Sequence, residues 1–255
     1  MVVAGTTGES PTVLFSEHQE LLVQAVRLSP IPVIAGAGGN STAEAVHLTK
    51  WAERAGAEAV LSVVPYYNKP PQDGLFHHYG MVCKATCLPV ILYNVPGRTV
   101  VALEPRTALR IRDSHKNCVG IKEASANLEA VRQYVDRGFN VWCGEDAMNY
   151  PMLCLGANGV ISVVSNFAPV VINRLLNCFT TTGIKLEART FDRIVSMCAK
   201  AAFIEVNPIP VKFILAEMGL GHNLLRLPLV PLDQVKQEQV RGILRTAAIL
   251  PNKIR

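Results

Sequence analysis

Short β-rich apolar runs alternate with longer amphipathic stretches along most of this chain, and no other feature narrows the possible folds so far. The runs are Val2–Gly5, Pro32–Gly36, Ala59–Val64, Pro89–Tyr93, Cys118–Lys122, Val141–Gly144 and Gly159–Val163. Between them lie Ser16–Leu28, Ser41–Ala55, Asp73–Thr86, Leu128–Asp136 and Ala147–Leu155, each long enough to cross back over a sheet. Repeated strand–helix units predict an α/β fold with a parallel sheet and helices outside it, either doubly wound or closed into a barrel. In both arrangements ligands meet the C-terminal ends of the strands. After about Asn166 the order changes. Helical patterns near Val170–Cys178, Leu186–Ala202, Val211–Met218 and Gln234–Ile249 follow one another without strands. The expected division is an α/β region over 1–165 and a helical region over 166–255.

With 255 residues, 49% hydrophobic and 18% charged, the chain can bury one large core. The net charge of +5 is dispersed. It forms no basic run of the kind that binds nucleic acid or a membrane surface. No apolar stretch reaches the about 18 residues that a membrane span needs. Seven cysteines, an odd number without a C-x-x-C pair, read as reduced thiols of a cytoplasmic protein rather than a disulfide framework or zinc site. His47, His77, His78, His115 and His222 have no spacing that makes a metal site.

Reactive side chains gather where the runs end. The first exits into Gly5-Thr6-Thr7-Gly8, whose hydroxyls and backbone N–H groups suit a carboxylate, although a helix-entry turn capped at Ser16 would look the same. The third exits into Pro65-Tyr66-Tyr67-Asn68, paired phenols that fit either packing or a proton relay. The fourth exits into Tyr93-Asn94-Val95-Pro96-Gly97-Arg98, a phenol followed by a guanidinium past a tight turn. The fifth ends on Lys122. A desolvated amine there can attack a ketone and form a Schiff base. The bland alternative is a lysine that reaches solvent or pairs with Glu123. A nucleophilic lysine, two phenols, a hydroxyl-rich turn and an arginine on one face make an aldolase-type site.

These motifs, together with Glu205-Val206-Asn207-Pro208-Ile209-Pro210-Val211-Lys212 and Leu225-Arg226-Leu227-Pro228, resemble the dihydrodipicolinate synthase family. That family belongs to the pyruvate-dependent Schiff-base aldolases, which also include N-acetylneuraminate lyase. The resemblance implies a TIM (β/α)8 barrel with a C-terminal helical extension. It implies that Lys122 forms an imine with pyruvate, that Tyr93 is the nearest general acid/base, and that Thr6 links Tyr93 to Tyr67 of a neighbouring subunit. Thr6 and Thr7 would hold the pyruvate carboxylate, Arg98 the carboxylate of the incoming aldehyde, and Gly144 and Ile161 would line the pocket. The implied reaction condenses pyruvate with L-aspartate 4-semialdehyde in lysine (diaminopimelate) biosynthesis. It needs no metal or organic cofactor, since the lysine is the electron sink. His18, Asn40, Glu44 and Tyr66 match an L-lysine inhibitor site, although Asn40 or Ser41 with Glu44 also reads as a helix cap. A homodimer or homotetramer is implied. Members of the family carry a strand and helix ahead of the glycine-threonine turn, so the barrel is expected to lack its first strand and helix. The alternatives are another pyruvate-dependent aldolase, of sugar-acid or hydroxy-oxoglutarate type, and a non-catalytic truncated paralogue.

Overall fold

The computed structural model describes residues 1–180 and 183–250, and the chain divides into two compact units. The first comprises Met1–Gly144 with Leu155–Ile161. It holds a sheet of seven parallel strands: β1 (Val2–Val3), β2 (Ile34–Gly36), β3 (Ala59–Val63), β4 (Val90–Asn94), β5 (Cys118–Glu123), β6 (Asn140–Cys143) and β7 (Gly159–Val160). Spatial order equals chain order, so each connection crosses one step along the sheet. The crossings carry helices α1 (Phe15–Leu28), α2 (Thr42–Arg54), α3 (Gln72–Lys84), α4 (Pro96–Thr99), α5 (Pro105–Ser114) and α6 (Leu128–Asp136). The expected α/β class and parallel sheet are observed.

Both faces of the strands are apolar, as a parallel sheet covered on each side requires. On one face Val33, Ala35, Ala37 and Val60 pack with Leu22 of α1 and Leu48 and Ala52 of α2. On the other, Ala59, Leu61, Ile91, Tyr93 and Val95 form a second cluster, joined by the half-buried Val119, Trp142 and Ile161. Local chemistry sets the helix starts. The Ser41 hydroxyl accepts the Glu44 amide of α2 at 3.4 Å, Asn127 accepts the Ala130 amide of α6 at 3.1 Å, and Pro105 opens α5 where its missing N–H is harmless.

The second unit comprises Glu145–Cys154 and the chain from Ser162 onward. It contains α7 (Asn149–Cys154), α8 (Pro169–Leu176), α9 (Ala188–Ala202), α10 (Ile209–Glu217) and α11 (Gln234–Thr246). The Asp146 carboxylate organises its entry, accepting the amides of Val163 at 2.8 Å and Val164 at 2.9 Å. The expectation of helices without strands is corrected here. A short antiparallel pair, β8 (Phe179–Thr180) and β9 (Gly183–Ile184), follows α8. Two residues a side are too few to show alternation in sequence. Helix α5 also escaped the periodicity reading, because charged residues crowd its few apolar positions. Among the described residues no helix is long and apolar enough to cross a membrane.

One buried histidine makes stability depend on pH. His78 of α3 shares a 2.9 Å hydrogen bond with the Thr42 hydroxyl at the start of α2, and burial lowers its pKa from 6.5 to about 4. The folded state thus resists protonation while the unfolded chain accepts it. The contribution is complete above about pH 6.5 and is lost as pH falls toward 4, about 3 kcal/mol over the window. Urea midpoints measured across that range should fall more steeply for the wild type than for His78→Gln. Parallel curves would refute the assignment.

Candidate active site

β4 and β5 carry the central pair. Val90 lies opposite Cys118, but the register then slips, so that Ile91 faces Gly120, Tyr93 faces Lys122 and Asn94 faces Glu123. An unslipped ladder would set Tyr93 beside Ile121 and turn Lys122 to the helix-covered face. The extra residue, Val119, is a bulge that re-aims everything after it. Lys122 Nζ consequently lies 4.2 Å from the centroid of the Tyr93 ring. On β6 its register partner is Trp142, and two residues further on the Gly144 amide donates to the Glu123 carbonyl at 2.8 Å. A Cβ on Gly144 would come within 2.7 Å of Lys122 Cε and 3.0 Å of its Cγ. The lysine stem therefore crosses a place that only glycine leaves open.

Behind this pair, on the helix-covered face, Glu123 is fully buried. Its two carboxylate oxygens accept from Asn94 Nδ2 at 3.1 and 2.9 Å, and Oε1 also accepts the Ser125 amide at 2.8 Å. Asn94 Oδ1 in turn accepts the Leu103 amide at 2.9 Å. Burial raises the Glu123 pKa, and the hydrogen bonds offset that only in part. The suggested Lys122–Glu123 pairing gives way to strand alternation, which sends neighbouring side chains to opposite faces.

The other expected site residues fall at the C-terminal ends of the same strands. Thr6 and Thr7 sit half-buried in a short 3-10 turn after β1, where the Gly8 amide donates to the Gly5 carbonyl at 3.0 Å. Ile161, just past β7, packs on the cluster that contains Tyr93. Arg98 is exposed on α4. Tyr67, in the loop after β3, is 85% exposed and holds a left-handed φ of 72°. Lys122 thus lies within reach of both Tyr93 and Gly144, while Tyr67 and Arg98 stand out toward solvent.

The second group gathers around the β2–α2 connection. His18 Nε2 shares a 2.8 Å hydrogen bond with the Gly36 carbonyl, and the Asn40 carbonyl accepts Asn68 Nδ2 at 2.9 Å. Burial, and then the nearby Glu44 carboxylate, push the Tyr66 phenol above its usual pKa. Ser41 does the capping of α2. The side chains of Asn40 and Glu44 do not perform it. Among the described residues no three His, Cys, Asp or Glu side chains converge as a metal-holding group.

Sequence reasoning missed Asn94, Glu123 and Trp142. A carboxylate directly after a strand-end lysine was a usable signal for Glu123, since alternation must bury one of the two. Nothing in the sequence revealed the bulge, and without it the partner of Trp142 could not be named.

Residues 1–247 match the model of the Dihydrodipicolinate synthetase family. The 4-hydroxy-tetrahydrodipicolinate synthase of Thermotoga neapolitana is 45% identical over 258 residues, covering 98% of this chain and 87% of that protein. The chloride-inhibited dihydrodipicolinate synthase of Acinetobacter baumannii, solved in complex with pyruvate, is 41% identical with a TM-score of 0.93, over 98% of this chain and 87% of that one. The enzyme of Cyanidioschyzon merolae, solved with lysine bound, is 39% identical with a TM-score of 0.93, over 98% and 86%.

Proposed function

We infer that this chain, which belongs to the dihydrodipicolinate synthetase family, acts as a 4-hydroxy-tetrahydrodipicolinate synthase. It is a Schiff-base lyase that condenses pyruvate with L-aspartate 4-semialdehyde in the diaminopimelate route to lysine. The observation that carries the reading is the Lys122–Tyr93 pair at the ends of adjacent parallel strands.

Lys122 Nζ attacks the keto carbon of pyruvate, and loss of water leaves an imine. Loss of a methyl proton then gives an enamine, whose carbon attacks the aldehyde of the second substrate. The amino group of that substrate closes the ring and releases Lys122. Tyr93 is the group in reach to carry protons at the imine, with its ring packed beside the amine. Thr6 and Thr7 receive the pyruvate carboxylate, and Gly144 leaves room for the lysine stem. Ile161 supplies an apolar wall. Arg98, exposed beyond β4, suits the carboxylate of the aldehyde at the mouth of the site. The 85% exposure of Tyr67 supports a role across a subunit boundary, where Thr6 would link it to Tyr93 in a homodimer or homotetramer.

The architecture we propose around this site is a TIM (β/α)8 barrel with a C-terminal helical extension. Seven parallel strands in sequential order support it. The absence of any membrane-crossing helix among the described residues is compatible with a cytoplasmic setting. An L-lysine inhibitor site over His18, Asn40, Glu44 and Tyr66 is supported by the proximity of Glu44 and Tyr66, a carboxylate for an ammonium beside a phenol.

The test is turnover with both substrates, followed by product mass, and repeated with L-lysine. Product with the predicted ring mass is expected, with pyruvate and aspartate 4-semialdehyde consumed one to one. Pyruvate consumed only with sugar-type or 2-oxoglutarate-derived partners would replace the substrate assignment. A rate unmoved by millimolar L-lysine would remove the inhibitor site alone.

A further inference from the structure

We propose that Trp142 is a positioning residue of the Schiff-base site, its indole forming the apolar floor that fixes the Lys122 stem and keeps water from the amine. The proposal rests on the reading of Lys122 as the nucleophile. Three observations carry it. The register places Tyr93, Lys122 and Trp142 on one rung of β4, β5 and β6, so all three side chains leave the same face. Adjacent strands lie about 4.8 Å apart, which puts an aromatic residue on each side of the lysine.

The indole also spans the gap between its two neighbouring strands. A Cβ on Gly120 of β5 would meet Trp142 Cζ3 at 2.5 Å and the Asn140 carbonyl at 2.6 Å, and a Cβ on Gly159 of β7 would rest in ordinary contact with Trp142 Cδ1 at 3.4 Å. The ring therefore reaches from one flanking strand to the other, below the level at which the lysine stem crosses Gly144. Trp142 further packs on the cluster of Ala59, Leu61, Ile91, Tyr93 and Val95, which fixes its orientation. An apolar plate in that position removes freedom from a long, flexible side chain, half-buried here, and shields one side of the amine from water.

The chain has two tryptophans, which makes the role directly readable. Trp51 lies in α2, packs on the cluster of the helix-covered face, and its buried indole N–H has no hydrogen-bond partner. Trp51→Phe therefore loses no hydrogen bond and leaves Trp142 as the sole indole. In that variant, pyruvate should change the emission saturably, with the same concentration dependence as the borohydride-trapped adduct. The change should vanish in the additional Lys122→Ala variant. Trp142→Leu should slow trapping about tenfold or more and move its pH dependence upward, since a hydrated amine is harder to deprotonate, with KM for the aldehyde unchanged. Trp142→Phe, which keeps a ring in place, should fall between the two.

Flat emission alongside normal trapping would overturn the role of Trp142 and leave the enzymatic reading intact. Failure of the unaltered chain to trap pyruvate would overturn both together. If Trp142→Leu does not fold, the emission of the Trp51→Phe variant and the pH profile of Trp142→Phe decide the matter, and an unshifted profile with flat emission sinks the proposal.

Discussion

Lys122→Ala is expected to abolish the reduced pyruvate adduct that borohydride should trap on the unaltered chain and to lower turnover on the order of 10³-fold or more, because the proposed mechanism gives the covalent step to this amine alone. Lys122→Arg should fail as completely. A guanidinium stays protonated in proteins and cannot act as the nucleophile. The neighbouring glycine makes a sharper version of the same test. In Gly144→Ala the new methyl would sit 2.7 Å from the original place of Lys122 Cε, so the amine must move although it remains present. A displacement of about 1 Å is enough to cost about 10²-fold in rate. Trapping should therefore persist in Gly144→Ala but slow, whereas in Lys122→Ala it should disappear. Peptide mass spectrometry after reduction distinguishes the two. An adduct found on another lysine, or undiminished trapping in Lys122→Ala, would remove the mechanism. No adduct on the unaltered chain would favour a non-catalytic role.

The contrast between these residues shows where sequence stops informing structure. Lys122, Tyr93 and the Gly5–Gly8 turn were legible because each ends an apolar run, and a parallel sheet gathers the ends of its strands at one edge. Their mutual distance was not legible. It depends on the bulge at Val119, one residue of slippage in a run, Cys118-Val119-Gly120-Ile121, that reads as an ordinary buried strand. The need for glycine at 120 and 144 was hidden for a related reason. Each is required by atoms on a neighbouring strand, Trp142 and the Asn140 carbonyl in one case and the Lys122 stem in the other, and only the register names the neighbour. Helix α5 was lost to a different effect, a short helix in which Arg106, Arg110, Arg112 and Asp113 break up the buried stripe of Thr107, Ala108, Leu109 and Ile111. The pair β8 and β9 was lost because a two-residue strand has no period to detect.

Glu123→Ala should cause the largest loss of stability of any single change near the site. The side chain has no solvent exposure, so deletion leaves a cavity that water fills poorly, and it orphans Asn94 Nδ2 and the Ser125 amide, which both donate to the carboxylate. Unsatisfied buried donors cost about 1–3 kcal/mol each, and the cavity adds to that. A loss of about 3 kcal/mol or more is expected, read as a lower urea midpoint with an unchanged slope. Glu123→Gln separates the carboxylate's charge from its shape. It keeps one oxygen, which can still accept from both Asn94 and Ser125, fills the same volume and carries no charge to desolvate, while its NH2 replaces the second oxygen that Asn94 reaches, so its loss should be smaller than that of Glu123→Ala. Because Asn94 and Glu123 immediately follow Tyr93 and Lys122 in their strands, the hydrogen bonds between them also clamp the two strand ends that carry the proposed Schiff-base pair. Pyruvate trapping should accordingly slow in Glu123→Ala even where the protein remains folded, and recover in Glu123→Gln. Equal midpoints for Glu123→Ala and the unaltered chain would show that the buried carboxylate is not what holds β4 and β5 together. A lowered midpoint with unaltered trapping would mean instead that the bulge alone sets the distance between Tyr93 and Lys122.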